Sequence, residues 1–138
     1  MTSKTGNNYG ERVTGNGERV MVRDYKDLQV WQKSIELVKE IYFITKELPR
    51  EESFNLISQM RRSAVSVSSN IAEGWMRQHT NEYIQFIYHA LGSCGELDTQ
   101  VIISNHLGYV DNKTMDSLSE IINHVIRMLR NLVKSLKK

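Results

Sequence analysis

The side chains best suited to chemistry in this 138-residue sequence are cations close to its C-terminal end. Arg127, Arg130, Lys134 and Lys137 are spaced by three, four and three residues, and Lys138 follows directly; we call these five residues the basic strip. At about 3.6 residues per turn, this spacing places them on one face of a helix. Such a face suits contacts with a phosphate backbone, whose affinity falls steeply with salt. It equally suits a solvated helix end, where cations interact favourably with the helix dipole.

Three further cations form a second, smaller candidate cluster for RNA or DNA. Arg61, Arg62 and Arg77 lie near the two ends of the predicted second helix. The sequence carries 18 Lys and Arg against 16 Asp and Glu, which gives a net charge of +2. The protein as a whole is therefore not a polycation, and nucleic-acid binding has to come from local patches.

The histidines and the cysteine do not have the spacing of a reactive centre. His79, His89, His106 and His124 are separated by 10, 17 and 18 residues, so no two of them share a helical turn. Cys94 lies in an apolar helical stretch, where thiols are inert. The sequence also has no glycine-rich phosphate loop and no nucleophile motif. It predicts no catalytic, cofactor or metal site, no small-molecule substrate, and a protein that is not an enzyme.

Four amphipathic helices are predicted to position these side chains. Apolar residues recur at intervals of three and four from Asp24 or Asp27 to 48, over 51–74, over 80–108, and from 111–114 to 136. The predicted fold is all-α, an antiparallel up-and-down four-helix bundle over residues 21–138. Residues 1–20 are rich in glycine and asparagine and are predicted to form a flexible N-terminal tail.

The ends of these helices have recognisable capping residues. Gly74 and Gly108 are expected to end the second and third helices, because glycine is the residue that most readily follows a helix. Thr80 is the expected N-cap of the third helix, and the fourth is expected to begin between Asp111 and Thr114.

The second helix has an unusual surface, because no charged residue occurs between Ser63 and Ala72. Either the rest of the bundle covers this stretch, or part of it packs on another copy of the chain. On the third helix, two interior glycines each cost roughly 1 kcal/mol relative to alanine, which predicts that another backbone comes very close there. The residues expected at an oligomer interface or in a structural motif are Gln59, Ser63, Ser66, Asn70, Glu73, Gly74, Gly92 and Gly95.

The expected compartment is the cytoplasm. No apolar run approaches the ~18 residues of a membrane span, and the N-terminus lacks the apolar segment of a signal peptide. A single cysteine cannot form an intramolecular disulfide, which fits a reducing environment.

An ordered series of motifs resembles one protein family. The segment YKDLQVWQ at 25–32 is similar to the opening of the four-helix bundle proteins that are encoded within intervening sequences of bacterial 23S rRNA genes. The resemblance covers about Asp24 to Lys134. The later motifs follow in the family's order at Leu48–Pro49, Gln59–Arg62, Ser66, Asn70–Gly74, Gly92–Gln100 and Leu107–Tyr109.

The resemblance implies a cytoplasmic bacterial bundle that assembles as a homopentameric ring and carries no catalytic residues. The family is similar in fold to the accessory proteins of diversity-generating retroelements, which form pentamers and bind a reverse transcriptase and nucleic acid. The expected function is a non-enzymatic oligomeric scaffold that binds RNA or DNA through basic faces, with a reverse-transcriptase-like protein as a further partner. The alternative is a protein–protein interaction adaptor with no nucleic-acid role, in which the basic strip is merely solvated.

Overall fold

The structure is a computed structural model, and it describes residues 22–138 together with the backbone of two short strands before them. Strands β1 (Glu11–Val13) and β2 (Arg19–Met21) pair antiparallel, with Glu11 opposite Met21. The predicted flexible tail over residues 1–20 did not include this pairing. The rest of that prediction lies outside the described residues and stays a prediction.

Four long α-helices make up the part of the chain that follows, as the sequence predicted. They are α1 (Gln29–Thr45), α2 (Leu56–Trp75), α3 (Thr80–His106) and α4 (Asn112–Leu136). One-turn 3₁₀ helices at Tyr25–Asp27 and Arg50–Glu52 precede α1 and α2. The predicted starts of the first two helices therefore fall on these tight turns rather than on the α-helices themselves. No helix in this described part of the chain combines the length and apolar character needed to cross a membrane.

Side-chain hydrogen bonds cap two of the helix starts, those of the 3₁₀ turn at Tyr25–Asp27 and of α4, whereas the N-cap residues of α1, α2 and α3 make none. Asp24 accepts a hydrogen bond from the backbone N–H of Lys26 at 2.7 Å, and Asp27 accepts one from Arg23 at 2.8 Å. The first aspartate thus caps the 3₁₀ turn and not α1. Asp111 caps α4 as predicted, because its carboxylate accepts the Thr114 N–H at 2.7 Å, and this bond lowers the pKa of the carboxyl group.

The third helix begins and ends in different ways. Thr80 is its first residue and is buried, while His79 occupies the N-cap position, so the predicted role of Thr80 is wrong by one residue. Gly108 follows α3 with a φ of 81°, which confirms the predicted glycine at this end. The Tyr109 N–H then bonds back to the Ser104 carbonyl at 2.9 Å and turns the chain toward α4.

Each helix contributes one apolar face to a shared core. Leu37 and Ile41 of α1, Met60 of α2, Leu97 of α3 and Ile122 of α4 are all fully buried. Burial of a side chain of this size contributes roughly 1.5–3 kcal/mol, so the core supplies the main driving force for folding.

Pairs of small polar side chains fix how the helices lie against one another. The hydroxyls of Ser34 in α1 and Ser68 in α2 are 2.8 Å apart, and those of Ser66 in α2 and Ser93 in α3 are 2.9 Å apart. Between α3 and α4, a serine at 119 donates to the Asp98 carboxylate at 3.1 Å. Each of these contacts joins two helices that follow one another in the sequence, so successive helices are neighbours.

Three other glycines, Gly74, Gly92 and Gly95, do not have the roles that the sequence predicted. Gly74 lies inside α2 rather than after it, and a Cβ atom there would lie 2.9 Å from the Cβ of Phe86 and 3.0 Å from Cδ1 of Tyr83 in α3. By contrast, no atom outside the helix's own backbone lies within 4 Å of a Cβ built on Gly92 or Gly95. The close approach that was expected at the two α3 glycines is therefore made, within the chain, at Gly74.

The two environments give opposite effects for the same substitution. We expect Gly74→Ala to lower the free energy of unfolding by about 1–3 kcal/mol, because the added methyl group overpacks the contact between α2 and α3. Gly92→Ala is the matched control and should raise it by about 0.5–1 kcal/mol, since the methyl group meets open space and alanine favours the helix. Urea unfolding followed by circular dichroism measures both. Equal effects of the same sign would contradict the packing assigned to Gly74.

The thiol of Cys94 lies in the core, where it is shielded from reagents. Burial, and to a smaller extent the negative charge of Asp98, raises the pKa of Cys94 to about 12. Because the thiolate is the reactive form, we expect iodoacetamide to label the folded protein very slowly at mildly alkaline pH and the urea-unfolded protein quickly. Labelling measured by mass spectrometry at equal rates in both states would show that the thiol is accessible.

Candidate nucleic-acid interface

The basic strip lies on the solvent-exposed face of the C-terminal half of α4 and just beyond its end. All five of its residues are exposed. The opposite face of the same helix carries buried leucine, isoleucine and valine side chains, including Leu129 and Val125. The alternation predicted from the spacing is therefore present, and packing of the core fixes the direction in which the cations point.

The strip cations have no anionic partner within the described part of the chain. The ion pairs there are Lys33 with Glu36 at 3.5 Å and Arg77 with Glu73 at 2.7 Å. In the strip, Lys137 instead donates a hydrogen bond to the Tyr88 hydroxyl at 3.1 Å, and its Nζ lies 5.7 Å from the centre of the tyrosine ring. The charge of the strip thus remains available to an external anion.

The length of the strip suits a run of phosphates. Arg127 and Lys137 are ten residues apart in the sequence, which corresponds to about 15 Å along a helix axis. One strand of a duplex carries a phosphate every ~3.4 Å along its axis, so the strip spans about four of them.

The structure does not bring the second predicted cluster together. Arg61 lies in α2 and Arg77 lies two residues beyond its end, and the 14 residues from Arg61 to the last residue of α2 already span about 21 Å. Arg61 donates to the Thr45 hydroxyl at 2.9 Å and lies 4.6 Å from the centre of the Tyr42 ring. These contacts tie α2 to α1.

Arg77 is similarly engaged, because it pairs with Glu73 and lies 4.7 Å from the centre of the Phe86 ring. Of the three predicted residues, Arg62 is exposed, whereas Arg61 and Arg77 are half-buried.

An open groove of about 520 Å³ runs between α2 and α3. Ser66, Asn70 and Gly92, three of the residues expected at an interface or in a structural motif, lie along it. Asn70 donates to the backbone carbonyl of Ser66 at 2.8 Å and to its hydroxyl at 3.0 Å, which orients the amide group. The full lining consists of Ser66, Asn70, Phe86, Tyr88, His89, Gly92, Ser93 and Glu96.

The charge-free stretch of α2 has two faces with different environments. Ser63 and Ser68 are buried in the bundle, which fits the first interpretation of this stretch. Val65 is 40% exposed and Ser69 is exposed, so a narrow uncharged face remains open to solvent. Of the other residues expected at an interface, Gln59, Glu73 and Gly95 are exposed and Gly74 is buried.

Tyr88 is the functional candidate that the sequence analysis missed. Its side chain is 46% exposed, and it contacts both the basic strip and the groove. Tyr88 falls between the buried positions Ile87 and Ala90, and this offset from the apolar period was the signal that could have identified it.

The histidines lie apart from one another. Within residues 22–138, no group of three His, Cys, Asp or Glu side chains is placed to hold a metal ion. His89 lines the groove beside Phe86, with ring centroids 5.7 Å apart in an edge-to-face arrangement.

Comparison with known proteins gives a family and a fold. Residues 26–131 match the sequence profile of the 23S rRNA-intervening sequence proteins. No curated protein matches the chain. A crystal structure of a protein of unknown function from the S23 ribosomal protein family of Bacteroides thetaiotaomicron is similar in fold, with a TM-score of 0.71 and 24% sequence identity over 76% of this chain and 98% of that one.

The family match covers all four helices except the last residues of α4, and the match in fold supports the all-helical, four-helix architecture. The relation to the retroelement accessory proteins stays a prediction. From its sequence and its helices, the chain belongs to the 23S rRNA-intervening sequence protein family.

Proposed function

We propose that this protein is a non-enzymatic helical scaffold that binds RNA or DNA through the basic strip and assembles as a ring of identical antiparallel bundles. The observation that carries the proposal is the absence of ion pairs at Arg127, Arg130 and Lys134 among the described residues. Because these cations are aligned on one face and unpaired among the described residues, they can contact a phosphate backbone without first breaking an ion pair.

A ring multiplies a modest interaction. Five cations per chain bind a phosphate backbone weakly at physiological salt, but several strips that engage one strand together raise the overall affinity without any new contact. The open, uncharged face of α2 around Val65 and Ser69 is the part of the surface that supports contact between copies.

A protein adaptor is the second candidate function, and one surface favours it. Phe54 is 95% exposed, Phe43 is 68% exposed and Leu107 is 55% exposed. The connections that carry Phe54 and Leu107 are held together by a hydrogen bond of 3.1 Å from the Tyr109 hydroxyl to Glu52. Exposed apolar side chains of this size at one end of a bundle suit a protein partner.

Charge reversal tests the basic strip. We expect Arg127→Glu, Arg130→Glu and Lys134→Glu together to weaken binding of RNA or DNA by about tenfold or more, and to reduce the slope of log Kd against log salt by about two, because three phosphate contacts are lost. Fluorescence anisotropy with labelled oligonucleotides over a salt series measures both quantities.

The matched control changes three exposed lysines elsewhere to glutamate, at 39, 46 and 113, and alters the net charge by the same amount. An equal loss of affinity in the control would mean that binding follows net charge and not the strip. Unchanged affinity in the strip variant would leave the adaptor as the better account.

The ring is tested by light scattering on the purified protein. We expect a mass near five times 16.0 kDa, and we expect Val65→Glu with Ser69→Glu to lower it while the helical content is retained. The reason is that charges buried between copies are costly without partners. A wild-type mass of one chain would contradict the ring.

A further inference from the structure

The groove and the basic strip meet at Tyr88. Its ring lines the groove, and its hydroxyl accepts the hydrogen bond from Lys137 of the strip. One turn further along α3, Gly92 has no side chain, and no atom outside the helix's own backbone lies within 4 Å of where its Cβ would be. The groove therefore passes over α3 at Gly92 and continues to Ser66 and Asn70 on α2.

The lining combines flat rings with neutral polar groups. Phe86, Tyr88 and His89 supply aromatic surfaces on one side, and Tyr88 is about half exposed. Ser66 and Asn70 supply hydroxyl and amide groups on the other side. Nucleic-acid bases need both kinds of group, because each base has a π-face that stacks on an aromatic ring and an edge that forms hydrogen bonds.

The charges around the groove favour a neutral group inside it and a phosphate outside it. No lysine or arginine lines the groove, and Glu96 contributes a carboxylate. A phosphate would be repelled there, whereas a neutral planar group would not. The basic strip adjoins the groove where Lys137 donates to the Tyr88 hydroxyl, and a phosphate backbone is favoured along the strip. Arg77 lies over the ring of Phe86 and is paired with Glu73.

We propose that the groove holds an unpaired nucleobase of a single strand whose phosphates lie on the basic strip, with Tyr88 as the stacking residue. This rests on the proposed nucleic-acid binding and specifies its ligand. A groove of about 520 Å³ falls within the ~300–1,000 Å³ typical of small-ligand sites, so a base with its sugar fits. A duplex keeps its bases stacked and paired and cannot place one in the groove without opening.

The test compares short single-stranded RNA and DNA oligonucleotides of mixed sequence with the duplexes made from them. Fluorescence anisotropy should give tighter binding of the single strands to the wild-type protein. Tyr88→Ala should weaken single-strand binding by about 5- to 100-fold, as expected for loss of one stacked base, and leave duplex binding unchanged. Tyr88→Phe keeps the ring and removes the hydroxyl that Lys137 contacts, so it should bind nearly as the wild type does.

A second pair of variants tests the groove without touching its aromatic residues. Gly92→Leu places a side chain in the groove and should reduce single-strand affinity, while the fold is retained because leucine favours helix. Gly95→Leu is the matched control. It makes the same change one turn further along the same helix, at an exposed position that does not line the groove, and should leave affinity unchanged.

Each other outcome overturns the inference in a distinguishable way. If single strands and duplexes bind equally, and neither Tyr88→Ala nor Gly92→Leu changes affinity, the groove takes no base, although loss of binding on charge reversal of the strip would still support the proposed function. If Gly92→Leu instead lowers the mass of the assembly and Tyr88→Ala has no effect, the groove is a contact between copies of the chain.

Discussion

Helices α2 and α3 pack closely, and a glycine and a pair of serines set the distance between them. Gly74 leaves no room for a methyl group against Phe86 and Tyr83, and the hydroxyls of Ser66 and Ser93 meet at 2.9 Å further along. Both contacts fail if either helix slides by one residue. Because buried hydroxyl groups need partners, this packing selects one register as well as one separation.

The placement of the candidate site follows from that register. With α3 held close to α2, its glycine at 92 points outward and leaves a groove, and Tyr88 reaches the edge of α4. The leucine face of α4 then packs inward and turns the basic strip to solvent. The groove is formed by α2 and α3, whereas the cations lie on α4 and just beyond it. They are neighbours because the core packs these helices together.

The basic strip and the four helices could be predicted from the sequence because both depend on spacing along a single helix. Residues at intervals of three and four share a face whatever that face contacts. The environments of Arg61 and Arg77 were harder to predict, because each arginine lies over an aromatic ring of another helix. Arg61 lies over Tyr42 of α1 and Arg77 over Phe86 of α3, and residues nearby in the sequence do not show this. The glycines were the hardest to predict. α3 packs closely against Gly74 whereas no other helix approaches Gly92, and the distance between helices cannot be read from the sequence.

The buried hydroxyl pair between α1 and α2 constrains the order in which this sequence can diverge. Ser34 donates its one hydroxyl hydrogen to the Trp31 carbonyl at 2.6 Å, so Ser68 must be the donor in the bond between the two serines. Loss of the Ser68 hydroxyl leaves Ser34 still bonded, whereas loss of the Ser34 hydroxyl first leaves a buried donor at Ser68 without an acceptor. An alanine pair can be reached by two successive substitutions in either order, and the order that begins at position 68 is therefore the more accessible.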